Sequence, residues 1–128
     1  MLHHVTLDVA QLGRASRFYD ALLTPLGWRR VFSDPDAIGY GYFDDLLLVL
    51  ATGRRPQPGT GHFCVAAVGT AAVKAAFESA MSAGGRSEGR PQARHGYEPG
   101  YYSAYLRDPD GYRVEIAVRA PAARARAA

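Results

Sequence analysis

The alternation of apolar and polar positions divides this chain into two similar halves. Each half begins with a segment in which every second residue is apolar, at 4–9 and at 62–68, and this alternation predicts a strand with one packed face. Each of these segments is followed by a stretch with apolar residues three and four positions apart, at 12–26 and at 70–83. That spacing predicts two helices, each with one apolar stripe.

The two halves also share their spacing. His4 is 23 positions before Gly27, and His62 is 23 positions before Gly85, so that equivalent positions are offset by 58 residues. A fixed offset of this kind indicates a duplicated structural unit.

Three short strands are predicted after each helix. They lie at 28–32, 38–42 and 46–50 in the first half, and at 86–93, 101–107 and 112–118 in the second. Each half is therefore a β-α-β-β-β module, and the fold class is α+β. The expected organisation is one domain with module one at 1–52, a linker at 53–61 and module two at 62–119, followed by a disordered tail at 120–128.

Composition excludes several classes of function. The net charge is +3, but the arginines are scattered rather than gathered into a basic stripe, so nucleic acid is not an expected partner. The single cysteine rules out an intrachain disulfide. The chain begins with a strand-like segment instead of a signal peptide, and no apolar run approaches the ~20 residues needed to span a membrane. We therefore expect a soluble, cytoplasmic protein that makes no contact with membranes.

Strand parity places three metal-ligating side chains on the face opposite the helices. Successive strand residues point to opposite faces, so if Val5, Phe63 and Val114 pack on helices, their neighbours do not. Those neighbours are His4, His62 and Glu115. Two imidazoles and one carboxylate form a facial triad that suits Fe(II), Mn, Ni, Co or Zn and leaves open positions for substrate.

Each of these residues also has a simpler interpretation. His4 could be an ordinary surface residue, and His62 could merely begin a strand after the linker. A carboxylate between apolar strand residues is costly unless it is paired, and an arginine such as Arg113 or Arg107 would supply the partner for Glu115.

Four further residues are candidates for substrate contact. Cys64 follows His62 by two positions and shares its face, although such a cysteine is more often a buried filler. His95 lies in a loop that either lines the cavity mouth or is plain surface. Tyr42 and Tyr102 are among the strand aromatics that could bind a ligand by stacking.

The motifs resemble those of the vicinal oxygen chelate superfamily, which includes glyoxalases, bleomycin resistance proteins and extradiol dioxygenases. The opening resembles it through His4-Val5-Thr6-Leu7-Asp8-Val9, Arg17-Phe18-Tyr19 and Leu26-Gly27-Trp28. The closing part does so through Pro99-Gly100-Tyr101-Tyr102, Leu106-Arg107-Asp108-Pro109-Asp110-Gly111 and Val114-Glu115. The resemblance implies a curved, half-open barrel with its helices outside and metal ligands at His4, His62 and Glu115. It also implies a homodimer, and some members of the superfamily build the site from two chains.

One departure from the family pattern narrows the expected activity. Glyoxalase-type isomerases carry a second carboxylate on the last strand of module one, whereas here Leu46–Leu50 contains no ionisable group. The usual base for proton abstraction is then missing, so lactoylglutathione lyase activity is not expected. We expect a metal-dependent lyase, transferase or dioxygenase that acts on a small oxygen-chelating substrate. The alternative is a metal-free protein that binds a small molecule or antibiotic, as bleomycin resistance proteins do.

Overall fold

The computed structural model describes residues 1–96 and 99–118 as two modules of similar architecture. Module one contains β1 (Val5–Asp8), α1 (Leu12–Leu23), β2 (Arg29–Ser33), β3 (Ala37–Tyr42) and β4 (Asp45–Ala51). Module two contains β5 (His62–Ala67), α2 (Thr70–Ser82), β6 (Arg86–Ala93), β7 (Tyr102–Arg107) and β8 (Arg113–Val118). The predicted repeat and the α+β fold class are confirmed.

Each module forms one four-stranded mixed sheet. The strand orders are β1-β4-β3-β2 and β5-β8-β7-β6. In each sheet the first strand pairs in parallel with the last, and the other pairs are antiparallel. Both sheets are open, and strands β1 and β5 lie at their edges. No closed barrel forms in the part of the chain that the structure describes.

The two helices pack against each other and against their own sheets, in one continuous hydrophobic core. Helix α1 contributes fully buried aromatic rings to this core, Phe18 and Tyr19, and helix α2 contributes the buried Val73. Because both helices occupy this core, the helix-free face of each sheet lies on the opposite side.

Helix α1 ends earlier than the periodicity predicts. The apolar spacing continues to Leu26, but the α-helix stops at Leu23 and a 3-10 turn covers Thr24–Leu26. Pro25 has no N–H to donate to an α-helical bond, and Gly27 then takes the left-handed conformation at φ 88°. The element is present as predicted, and its end was misplaced by one turn.

The turn between β7 and β8 ties the modules together. The hydroxyl of Tyr19 in module one donates to the fully buried Asp108 of this turn at 2.6 Å. Arg14 donates to Asp110 at 2.9 Å, and the hydroxyl of Tyr112 donates to the carbonyl of Asp8 at 2.7 Å. The Asp-Pro-Asp-Gly hairpin that the sequence predicts is therefore also an inter-module contact.

Two further expectations concern the C-terminal tail and membrane-spanning helices. The tail expected at 120–128 lies outside the described residues. No helix within residues 1–96 and 99–118 is long and apolar enough to cross a membrane.

Candidate functional site

The candidate site lies on the face of the second sheet that is opposite α2, which we call the open face. On β8, Val114 and Ile116 are fully buried towards the helix side, and Glu115 between them points to the open face. Cys64 is the direct partner of Glu115 in the parallel β5–β8 pair, which places it on the same face. In module two, these side chains therefore lie on the faces that strand alternation predicts.

His62 and Glu115 meet on the open face. Nε2 of His62 lies 3.1 Å from Oε1 of Glu115 although the residues are 53 positions apart. The His62 side chain is 35 % exposed, whereas the Glu115 side chain is only 5 % exposed. A recessed carboxylate is thus combined with an imidazole that solvent or a ligand can reach.

Glu115 is held ionised by the groups around it. Burial is the largest single influence and raises the pKa of Glu115, but hydrogen bonds outweigh it and hold the pKa below its usual range. The donors are the side chains of Tyr101, Tyr105, His62 and Ser103. The shortest of these bonds, from Tyr101 to Oε2, is 2.6 Å long. Arg113 and Arg107, which the simpler interpretation offered as partners of Glu115, pair instead with Glu88.

Cys64 lies on the open face beside this carboxylate and is accessible at the surface. Partial burial, the largest cause, and the negative charge of Glu115 raise the pKa of the Cys64 thiol to about 12. At neutral pH it is a protonated thiol, which is a poor nucleophile.

His4 does not join His62 and Glu115 within one chain. It is exposed, and its Nδ1 lies 2.8 Å from Nδ1 of His3. It also lines a groove of about 240 Å³ between β1 and β5, together with Cys64. Among residues 1–96 and 99–118, no three His, Cys, Asp or Glu side chains are placed to hold one metal ion.

The pair that does form suits a metal ion in its chemistry. Imidazole and carboxylate are the donors that borderline divalent ions prefer. The two donor atoms, Nε2 of His62 and Oε1 of Glu115, lie next to each other at a hydrogen-bond distance of 3.1 Å. The donor set of one chain fits a divalent ion in part, with two of the three predicted ligands adjacent.

The first sheet has no counterpart of Glu115. Thr6 of β1 is equivalent to Cys64 through the 58-residue offset, and it pairs with Val49 of β4 just as Cys64 pairs with Glu115. Val49 therefore occupies the position where a second carboxylate would lie.

The other predicted contact residues are dispersed. Tyr42 is part of an apolar groove of about 170 Å³ that also contains Trp28 and Leu47. Tyr102 packs against the hydrophobic core, and His95 is exposed in the turn after β6.

Sequence reasoning did not connect the aromatic and hydroxyl neighbours of Glu115 with that carboxylate. Ser103 and Tyr105 could have been found, because β7 pairs with β8 and alternation places both on the open face. Tyr101 could have been found in the same way, because alternation in the predicted strand at 101–107 places it with Ser103 and Tyr105, whereas Tyr102 falls on the opposite face and packs against the core.

The profile of a family described as a glyoxalase-like domain matches residues 4–117. This match covers most of the chain, so the chain belongs to the glyoxalase-like domain family. The fold and the structural relatives also place it in the vicinal oxygen chelate superfamily. No curated protein sequence matches the chain.

Solved structures show the same fold. A glyoxalase/bleomycin resistance protein from Albidiferax ferrireducens is 29 % identical, with a TM-score of 0.75 over 91 % of this chain and 97 % of that one. A glyoxalase-related enzyme from Fulvimarina pelagi is 24 % identical, with a TM-score of 0.75 over 93 % and 88 %. The fosfomycin resistance protein FosX from Mesorhizobium loti is 18 % identical, with a TM-score of 0.70 over 98 % and 97 %. The last two likenesses concern the fold alone.

Proposed function

We propose that this protein is a divalent-metal-dependent enzyme acting on a small oxygen-chelating substrate, as a lyase, transferase or dioxygenase. Its metal ligands would be His62 and Glu115 of one chain and His4 of the partner subunit in a homodimer. The observation that carries the proposal is the contact between His62 and Glu115 on the open face. An ion held there would supply a Lewis acid that polarises a bound substrate oxygen.

The residues of the chain would prepare this site without the ion. The hydrogen bond from Tyr101 occupies Oε2 of Glu115 and turns Oε1 towards His62. Partners of this kind orient a ligand and commonly change metal affinity by about 10- to 100-fold. The partly exposed imidazole leaves the substrate a direct path to the site.

A shared site would explain why His4 is separate from the other two ligands. His4 precedes β1, and His62 begins β5. Both strands are sheet edges, paired on one side only within residues 1–96 and 99–118. A two-fold dimer could bring β1 of one chain to β5 of the other twice over. Sedimentation at tens of micromolar should then report a dimer, since stable interfaces bind more tightly than this order of concentration.

The metal proposal is tested by metal analysis of protein purified without a His-tag and exposed to Fe(II), Mn, Ni and Zn. We expect Glu115→Gln to lose the bound ion, because it keeps the shape and removes the charge. Glu78→Gln, at an exposed carboxylate on α2, is the matched control and should keep it. Equal metal content in Glu115→Gln and the parent would contradict the proposal.

Mixing two variants that each lack one proposed ligand tests whether the site is shared. A heterodimer of His4→Gln and Glu115→Gln would contain two different sites. One site would keep all three ligands, and the other would carry both substitutions. Co-refolding equal amounts should therefore restore metal to about one quarter of all sites, because half of the dimers would be mixed. An intrachain triad would give no recovery.

The second candidate function is metal-free binding of a small molecule or antibiotic. It is favoured by the hydrogen bonds that already satisfy Glu115 and by the apolar groove at Trp28, Tyr42 and Leu47. This alternative replaces the first if the parent protein holds no ion under any of the four metal conditions. Lactoylglutathione lyase activity is not proposed, because Val49 stands where the second carboxylate would be needed.

A further inference from the structure

The open face carries a second group of side chains, centred on the ring of Tyr105. The hydroxyl of Tyr105 is hydrogen-bonded to Glu115, and its ring lies 5.5 Å from the ring of His62, centroid to centroid. The guanidinium carbon of Arg113 lies 4.4 Å from the centre of the Tyr105 ring, and that of Arg94 lies 5.3 Å from it. Two cations therefore lie against a single ring beside the His62–Glu115 pair.

Arg94 is held firmly in this position. Its Nη2 donates to the carbonyls of Gly89, Arg90 and Ser103 at 3.3, 2.9 and 3.1 Å, and its Nε donates to the hydroxyl of Ser103 at 3.3 Å. The β6–β7 pairing is irregular at Gly89, so the guanidinium satisfies carbonyls at a break in the ladder.

The backbone next to Arg94 leaves space for it. A Cβ atom added at Gly89 would lie 3.1 Å from Nη2 of Arg94 and 3.5 Å from the Tyr105 ring. A larger residue at this position would crowd the guanidinium. The glycine thus allows the cation to lie over the ring.

The positive charge of this group is only partly neutralised. Arg94 forms no ion pair with any residue in the described part of the chain, because its acceptors are carbonyls and a hydroxyl. Nη1 of Arg94 also donates to none of those residues. Arg113 shares the single carboxylate of Glu88 with Arg107, each at 3.1 Å. An ordered guanidinium with spare donors is the arrangement that binds oxyanions.

We infer that Arg94 and Arg113 form an anion subsite, which takes a carboxylate or phosphate-type group of the substrate beside the His62–Glu115 pair. The inference rests on the proposed function, because it takes this anion to be part of the substrate of the same site. The substrate would then be a small molecule with an anionic group next to its chelating oxygens. The hydroxyl end of Tyr105 lies at the carboxylate of Glu115, and both guanidiniums lie against its ring.

The test is a titration of the full, metal-free chain with inorganic phosphate, followed by NMR of the arginine Nε–H groups and the backbone amides. Trimethyl phosphate, which has a similar shape and no charge, is the matched probe. We expect phosphate to shift the signals of Arg94 and the neighbouring strands, and trimethyl phosphate to leave them unchanged. Added salt should weaken phosphate binding, because the attraction is electrostatic.

Three variants locate the binding. Arg113→Gln and Arg94→Gln should each weaken phosphate binding by about tenfold, as expected for a charge-assisted hydrogen bond. Arg54→Gln removes one positive charge from the exposed linker and should have no effect. Because Arg94→Gln removes hydrogen bonds to the backbone, a thermal melt accompanies it, and Arg113→Gln keeps the test valid if that variant unfolds.

Equal shifts with both probes, or equal weakening in Arg54→Gln, would overturn the inference. The phosphate titration uses metal-free protein, so its result can be told apart from that of the metal experiment on the proposed function. Phosphate binding without any bound ion in the metal experiment would refute the metal enzyme alone. A metal-binding protein that ignores phosphate would refute the anion subsite alone.

Discussion

Removal of one hydroxyl, in Tyr19→Phe, tests how the two modules are held together. The Tyr19 hydroxyl and Asp108 are both buried, and their hydrogen bond of 2.6 Å links α1 to the β7–β8 turn. The substitution leaves the ring in place. It removes one donor from the Oδ2 atom of Asp108, while Oδ1 keeps the backbone N–H groups of Asp110 and Tyr112.

The size of the effect follows from the charge and burial of the acceptor. A hydrogen bond to a charged group is worth about 1.5–3 kcal/mol, and water cannot replace it at a fully buried oxygen. We therefore expect the free energy of unfolding to fall by about 2–3 kcal/mol. Tyr40→Phe is the matched control, because its ring is equally buried. Its hydroxyl donates to the half-exposed Asp20, which keeps two hydrogen bonds from Arg30, and at 3.3 Å to the carbonyl of Ser16. That loss should be about 0.5–1 kcal/mol.

The measurement is urea unfolding of both variants and the parent, repeated at several pH values. Burial is the largest influence on Asp108 and raises its pKa, whereas the Tyr19 bond lowers it because the bond favours the ionised form. The cost of Tyr19→Phe should therefore be greatest at neutral pH and should shrink as the pH falls towards the ordinary Asp value near 4 and Asp108 becomes protonated. Equal losses in Tyr19→Phe and Tyr40→Phe at neutral pH would refute this reasoning.

Two further predictions concern single residues. Gly41→Ala should destabilise the fold by more than about 2 kcal/mol, because the added Cβ would collide with the carbonyl oxygen of Asp45. Gly13→Ala near the start of α1 has open space and should stabilise the fold by up to about 1 kcal/mol. Thermal melts that rank the two variants in the opposite order would contradict this. Cys64 should react slowly with iodoacetamide at pH 7.5, and faster in Glu115→Gln, because the negative carboxylate raises the pKa of the thiol; an unchanged rate in that variant would show that Glu115 does not influence the thiol.

The elements of the fold were predictable because their signals are local. Alternation in β5 and β8 and the three- and four-residue spacing in α1 and α2 depend only on which side of an element must be buried. The 58-residue offset then required two similar modules, and the structure contains them. The end of α1 was less predictable, because Leu26 remains apolar and buried in the 3-10 turn after the α-helix has ended at Leu23.

Part of the candidate site was also predictable from the chain. Parity alone places His62, Cys64 and Glu115 on one face, since a strand residue cannot change face without a shift in register. It says nothing about distance along that face. That His62 meets Glu115 depends on the parallel register of β5 and β8, in which Cys64 and Glu115 are opposite each other.

The remaining features are decided by tertiary structure, because they depend on how separate elements dock. The sequence determined the two modules, the face of each strand and the residue types available for chemistry. Tertiary packing brought the Tyr101 hydroxyl to 2.6 Å from Glu115, placed Arg94 over Tyr105, and left His4 outside the His62–Glu115 pair within the described residues. The face on which each strand residue lies would be the same whether β1 approached β5 of its own chain or β5 of a second copy, so local periodicity cannot distinguish these two arrangements. The packing of α1 on α2 determines how the two modules are arranged within a chain.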